Sequence, residues 1–333
     1  MRLTEIAQAK ALHEQALFAK PHVVGVGSGF RTEGGRRTDE LCLVALVDQK
    51  MPRAALPKDA LVPEELNGVR TDVVQVGRLS ALASRLERIR PAPGGVSVGH
   101  EKVTAGTLGC VVRDRMTSQR LILSNNHVLA NCNDAAPGDP ILQPGSVDGG
   151  ENPDDVIARL ERFIPLQFSD GPATCDLAMR YARLGNRIAK LLGAQHRLDA
   201  SWHDTDATNE VDAATALPVD DADISEEILD IGILGGTTAP RLNMRVRKSG
   251  RTSGYSTGEI VVMDASVDIH YGDYIARFVS QLLTTPMSSP GDSGSVLVDG
   301  EALLAVGLLF AGSDQASVYN PVQPVLERLE VVI

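Results

Sequence analysis

From Gly106 onward the chain is a succession of short β-type runs cut by turns, and no other feature of its 333 residues restricts the fold as much. The runs include Thr107–Arg113, Arg120–Ser124, Val156–Arg162, Glu259–Met263, Ile275–Leu283, Ser295–Val298 and Leu303–Phe310. Many short strands at modest spacing bury their apolar faces as a sandwich or a barrel. Two stretches interrupt the pattern. Residues 176–192 carry Leu177, Tyr181, Leu184, Ile188 and Leu191 at a helical period, and Pro321–Glu330 opens on a proline suited to a first helical turn.

The first 90 residues differ in texture. An amphipathic helix is expected over residues 3–19, followed by β-rich runs at Val23–Val26, Leu41–Val47 and Val69–Val76. Together they make a small α+β domain, near the lower size limit for a self-supporting core. Arg90-Pro91-Ala92-Pro93-Gly94-Gly95 reads as the linker that follows it.

Charge narrows the function classes. There are 32 Lys+Arg against 43 Asp+Glu, a formal net charge of −11, which argues against nucleic-acid or anionic-membrane binding. The imbalance is local: residues 199–230 hold eleven acids and no Lys or Arg, and the rest of the chain balances at 32 of each. No apolar run approaches the ~18 residues of a membrane span. The polar, amphipathic N-terminus does not read as a secretory signal. Four cysteines (Cys42, Cys110, Cys132 and Cys175) without C-x-x-C spacing make no disulfide framework. The expectation is reduced thiols in a cytoplasm, with a Cys110–Cys132 bridge left open.

Two segments bear chemistry. Pro290-Gly291-Asp292-Ser293-Gly294-Ser295 places a serine between glycines, as a nucleophile on a tight turn requires, although a plain hairpin turn has the same composition. Leu121-Ile122-Leu123-Ser124-Asn125-Asn126-His127 runs a buried strand into a polar turn and delivers a histidine, which suits a rigidly held general base. A histidine there is equally at home as a core residue. The other six histidines lack such a strand. Gly25-Val26-Gly27-Ser28-Gly29 is expected to form a tight turn, since Phe30 stands where a dinucleotide loop needs glycine. No phosphate loop, H-E-x-x-H or calcium loop is present, and no metal or cofactor is expected.

Leu123 to Val128 resembles the histidine motif of the trypsin/chymotrypsin-like serine peptidases, and Gly291 to Gly294 their serine motif. Gly106 to Cys110, Lys248 to Gly254 and Val306 to Gly312 are similar to the bacterial and plant narrow-leaf-type members. The resemblance implies a mainly β fold of two antiparallel six-stranded chymotrypsin-like β-barrels behind the N-terminal domain (1–90). The first barrel would span 91–240, with a helical insertion at about 163–208, and the second, with a C-terminal helix, 241–333.

The resemblance also implies a Ser-His-Asp triad of Ser293, His127 and an aspartate, with the N–H groups of Gly291 and Ser293 as oxyanion hole. Two aspartates compete for the third place. Asp176 begins a helical pattern and reads as a cap or first-turn acid. Asp212 precedes a strand-like stretch to Leu217 and then the second barrel, and it is preferred. Met287, Phe310 and Ala311 fall at substrate-binding positions. Met287 stands where basic specificity needs an acid, and Phe310 where many relatives support the triad acid with serine. No activation-type amino end precedes the first barrel, so Asp292 is not expected to pair with one. The expected activity is a serine endopeptidase acting on protein or peptide through an acyl-enzyme. A peptide-binding scaffold and a hydrolase of other acyl substrates stay open, as does homo-oligomerisation through the N-terminal domain. The acidic block around Asp212 is expected to favour a charged His127 and to attract basic substrates.

Overall fold

The computed structural model describes residues 2–33, 36–52, 56–57, 59–77, 84–102, 105–173 and 175–333. Residues Met1–Ala83 and Ser84–Ile333 form two compact units. In the first, helix α1 (Leu3–Phe18) precedes strands β1 (Val23–Glu33), β2 (Arg36–Val47), β3 (Glu65–Leu66) and β4 (Val69–Gln75). The sheet order is β1-β2-β4-β3, with β2 and β4 parallel; residues 25–29, expected as a turn, run within β1 and pair with β2. Ile6, Ala9 and Leu17 lie on one face of α1 and are buried with Leu43 and Val69.

The second unit begins with β5 (Ala92–Gly94), β6 (Ser97–His100), β7 (Gly106–Thr107), β8 (Cys110–Asp114) and β9 (Arg120–Ser124). The one-turn helix α2 (Asn126–Leu129), β10 (Pro140–Leu142) and β11 (Val156–Phe163) follow. Next come β12 (Asp170–Pro172), α3 (Asp176–Leu191), β13 (Ser201–His203), β14 (Ala214–Pro218), β15 (Ile224–Ile228) and β16 (Gly232–Ile233). The rest comprises β17 (Arg245–Gly250), β18 (Gly254–Tyr271), β19 (Tyr274–Thr284), β20 (Val296–Asp299), β21 (Ala305–Gly312), β22 (Ser317–Pro321), α4 (Val322–Arg328) and β23 (Val331–Val332).

The protein is mainly β, and its larger unit is built on two large sheets in the places expected for the two barrels. Each has eight strands where six were expected, ordered β23-β8-β9-β14-β11-β10-β6-β7 in the first barrel, a half-barrel, and β13-β12-β19-β18-β17-β20-β21-β22 in the second. In the second, pairing of β19 with β22 closes a ring of six, to which β12 and β13 add an edge. Those two strands flank α3, so the segment between β11 and β14 extends the second sheet as well as carrying a helix. Residues 84–90, read as part of the N-terminal domain, lie in the larger unit. The expected linker is corrected too: Ala92–Gly94 are buried and pair in parallel with β15.

Strand β9 explains how the core positions the site. Its side chains alternate in direction, so Ile122 enters the first-barrel core while Leu121 and Leu123 enter a second cluster. That second cluster also takes Cys110, Val296, Leu308 and Val325, drawn from both sheets and α4. A strand covered on both faces reads as a continuous apolar run. Ser124, where the run ends, is therefore fixed where the two barrels meet.

Candidate active site

The chain leaves β9 through Asn125 and enters α2, which carries His127. Asn125 is buried and its Nδ2 donates to the Asp212 carbonyl at 2.7 Å, tying the two polar turns together. His127 Nδ1 lies 2.5 Å from Asp212 Oδ2, and its backbone N–H donates to Asp212 Oδ1 at 3.3 Å. Asp212 is fully buried, just ahead of β14, while the His127 side chain is partly open to solvent. Asp176, the competing aspartate, is exposed in the first turn of α3.

Asp212 is also held from the second barrel. Tyr271 donates its hydroxyl to Asp212 Oδ2 at 2.7 Å, and Asn320 Oδ1 accepts the Asp212 N–H at 3.0 Å. Asn320 in turn donates to Gln281 Oε1 at 2.7 Å. Burial, reinforced by the Asp212 charge, pushes the Tyr271 phenol well above its ordinary value, so it stays a donor. Its ring stands edge-on to the His127 imidazole, with centroids 5.7 Å apart. No motif in the sequence singles out Tyr271. Its signal is the alternation of Val267, Ile269 and Tyr271 with Asp268 and His270, which carries β18 far beyond Met263 to a turn at Gly272.

Ser293 sits on the turn after β19. Gly291 and Gly294 both have φ of +96°, a region that favours glycine. A Cβ at Gly294 would lie 2.0 Å from Ser124 Oγ and 2.3 Å from the Thr107 carbonyl oxygen. The turn is thus pressed against β7 and the end of β9, and Thr107 N–H donates to the Ser293 carbonyl at 2.7 Å. The backbone N–H groups of Asp292, Gly294 and Ser295 donate to Ser289, Leu309 and Asp292 carbonyls. Those of Gly291 and Ser293 have no acceptor among the described residues. Two unspent donors on a turn beside a serine can stabilise a developing oxyanion.

The turn is braced from below. Asp292 and Lys248 are fully buried, with Lys248 Nζ 2.9 Å from Asp292 Oδ2 and donating also to Ser253 Oγ at 2.6 Å. Asp292 Oδ1 accepts from Thr252 and Ser253 N–H at 2.8 and 3.0 Å, and Oδ2 from Ser289 N–H at 2.8 Å. Burial alone would raise this carboxyl, but the ammonium and the N–H donors outweigh it and hold it below the usual range. Burial also lowers the Lys248 ammonium, against the pull of Asp292.

Ser293 lines a groove with Ser288, Ser289, Ala311 and Gly312, and His127 lines an adjoining one with Tyr271, Phe310 and Ala311. Met287 is elsewhere: its side chain packs in the second-barrel core, and a Cβ at Gly258 would meet its sulfur. Phe310 packs on Phe278 with centroids 4.6 Å apart, leaving support of Asp212 to Tyr271. The Ser288 and Ser317 hydroxyls are 2.6 Å apart and join the groove wall to β22. The acidic block is partly neutralised. Of the eleven acids, Glu210, Asp221, Asp223, Glu226 and Asp230 are paired with Arg328, Arg120, Arg90, Arg113 and Arg85, all from outside the block. All four cysteines are free, and burial pushes the Cys132 thiol up to about 12.

No protein-family model matches the chain. Streptogrisin-D of Streptomyces griseus is 27% identical over 172 aligned positions, covering 46% of this chain. The match takes in 43% of that relative, so the chain spans less than half the length of the curated relative it matches. Among solved structures, Nocardiopsis protease (NAPase) superposes with a TM-score of 0.46 at 15% identity, covering 72% of this chain and 97% of its own. Thermobifida fusca protease A gives 0.45 at 14% identity over the same shares. In sequence and in fold, the chain resembles the trypsin/chymotrypsin-like serine peptidases.

Proposed function

We propose that the chain is a serine endopeptidase in which Ser293 is the nucleophile, His127 the general base and Asp212 the residue that orients it. The observation that carries this reading is the buried Asp212 carboxylate at 2.5 Å from His127 Nδ1, which leaves Nε2 to serve the serine. Ser293 Oγ attacks the scissile carbonyl carbon and its proton passes to His127 Nε2. The carbonyl oxygen becomes an oxyanion held by the Gly291 and Ser293 N–H groups. His127 then gives the proton to the departing amine as the C–N bond breaks, leaving an acyl-Ser293. Water, deprotonated by the same imidazole, attacks the ester and restores the serine.

Two finer points belong to this reading. The groove beside Ser293 is walled by Ser288, Ser289 and Leu309, and its one carboxylate, Asp314, is exposed, which favours uncharged side chains over deep binding of Lys or Arg. The Asp292 carboxylate already has Lys248 as its counter-ion, so the enzyme is active without cleavage that frees an amino terminus. The test is labelling by a fluorophosphonate, followed by cleavage of a peptide library. Wild type should label and cleave, whereas Ser293→Ala and His127→Ala should do neither. A properly folded wild type that neither labels nor cleaves would overturn the assignment. Labelling with ester but no peptide turnover would move the substrate to another acyl class.

A further inference from the structure

Helix α3 lies with its apolar face outward. Its partly buried positions are small or polar ones: Ala178, Ala182, Gly185, Asn186 and Ala189, together with Met179. The opposite face carries Leu177, Tyr181, Leu184, Ile188 and Leu191, at spacings of four, three, four and three. These five side chains are between 49% and 87% exposed, and Leu192 continues the stripe. A water-facing helix normally shows the reverse distribution, and a contiguous exposed apolar surface marks an interaction site.

Charge indicates what covers it. Residues 177–198 contain Arg180, Arg183, Arg187, Lys190 and Arg197 and no acid, in a chain whose net charge is −11. At 100° per residue Arg180 and Arg187 border one edge of the apolar stripe, with Arg183 and Lys190 just beyond them on the same side. None of the four helix cations is in an ion pair among the described residues. A second copy of α3 laid face to face would bring these cations together with no acid on either helix to offset them, apart from Asp176 at the first turn.

We propose that α3 is a docking helix for an anionic lipid surface. The leucines, Ile188 and Tyr181 would enter the boundary between headgroups and acyl chains, and Arg180 and Arg187 would meet lipid phosphates at the rim. The net-charge argument against membranes fails here because it averages over the chain, whereas a lipid headgroup within a Debye length senses only the local cations. The helix does not span: among the described residues no helix is long and apolar enough to cross a membrane.

Co-sedimentation of the full chain with phosphatidylcholine vesicles, with and without 30 mol% phosphatidylglycerol, tests this. Binding is expected only with the anionic lipid and should weaken at high salt. Arg180→Gln/Arg187→Gln should bind about 30-fold more weakly, at about fivefold per cation. Leu184→Asp/Ile188→Asp should not bind. Both variants should keep wild-type circular dichroism and fluorophosphonate labelling, since α3 carries no residue of the candidate triad. No binding of wild type to anionic vesicles, or equal binding by all three proteins, would overturn the proposal. A wild-type dimer that Leu184→Asp/Ile188→Asp splits, without vesicle binding, would also overturn it and identify the occupant as a second copy.

Discussion

Replacing Lys248 by methionine tests whether the buried ion pair holds the serine turn. Methionine keeps most of the side-chain volume and removes only the ammonium, leaving the Asp292 carboxylate in a site with no solvent access. Breaking a buried pair by removing one partner costs about 3–5 kcal/mol. Asp292 keeps its three backbone donors from Thr252, Ser253 and Ser289, so the lower end, about 3 kcal/mol, applies. At about 2–4 °C per kcal/mol for a unit of this size, the melting temperature should fall by about 6–12 °C at pH 7. The pH dependence gives a sharper check. In wild type the depressed Asp292 contributes stability that is full above its unfolded value, about 4, and is lost as pH falls through the lower folded value. Without Lys248 the balance reverses, because burial then raises the folded carboxyl. The variant's deficit should therefore be largest at neutral pH and shrink as pH falls through the variant's raised value toward about 4 and below, measured by differential scanning fluorimetry at pH 7 and pH 3.5. A melting temperature within 1–2 °C of wild type at pH 7, or a deficit unchanged at pH 3.5, would refute the reasoning.

The triad acid separates by paired substitution: Asp212→Asn should lower kcat about 10⁴-fold through the wrong imidazole tautomer, while Asp176→Asn should leave peptide turnover unchanged. Tyr271→Phe removes one donor to Asp212, so kcat should fall about tenfold with KM little changed. Gly294→Ala forces a side chain into φ +96° against Ser124 and Thr107, and should destabilise the fold by about 3 kcal/mol or more in chemical denaturation.

The readable parts of the chain were those where one side chain's chemistry or one period dominates. The 121–127 segment announced itself because a doubly buried strand must be apolar throughout and a polar turn must end it. The turn around Ser293 was legible from its two glycines, and the structure gives both of them positive φ. What escaped was support supplied across distance in sequence. The segment from Lys248 to Gly254 carries a resemblance but gives Lys248 no role, yet the fold buries that lysine completely against Asp292. Asn320 and Gln281 likewise gain meaning only when β22 and β19 pair and bring them to Asp212. The extent of β18 was missed for another reason. Asp264, Asp268 and His270 break the apolar run, though their alternation with Val267 and Ile269 is that of a strand with one wet face.

Asp212 and His127 hang from the first barrel, but the hydroxyl of Tyr271 and the amide of Asn320 reach that aspartate from the second. The carboxylate is thus a rivet through both halves. Any motion that parts the barrels to admit a bulky chain must draw this rivet, and with it the alignment of the imidazole. For the peptidase proposed above, this predicts that an extended peptide is cleaved while the same sequence held in a folded loop is not. The same rivet ties the His127–Asp212 pair to the seating of both halves: a molecule whose barrels have parted loses the Tyr271 and Asn320 contacts to Asp212 together.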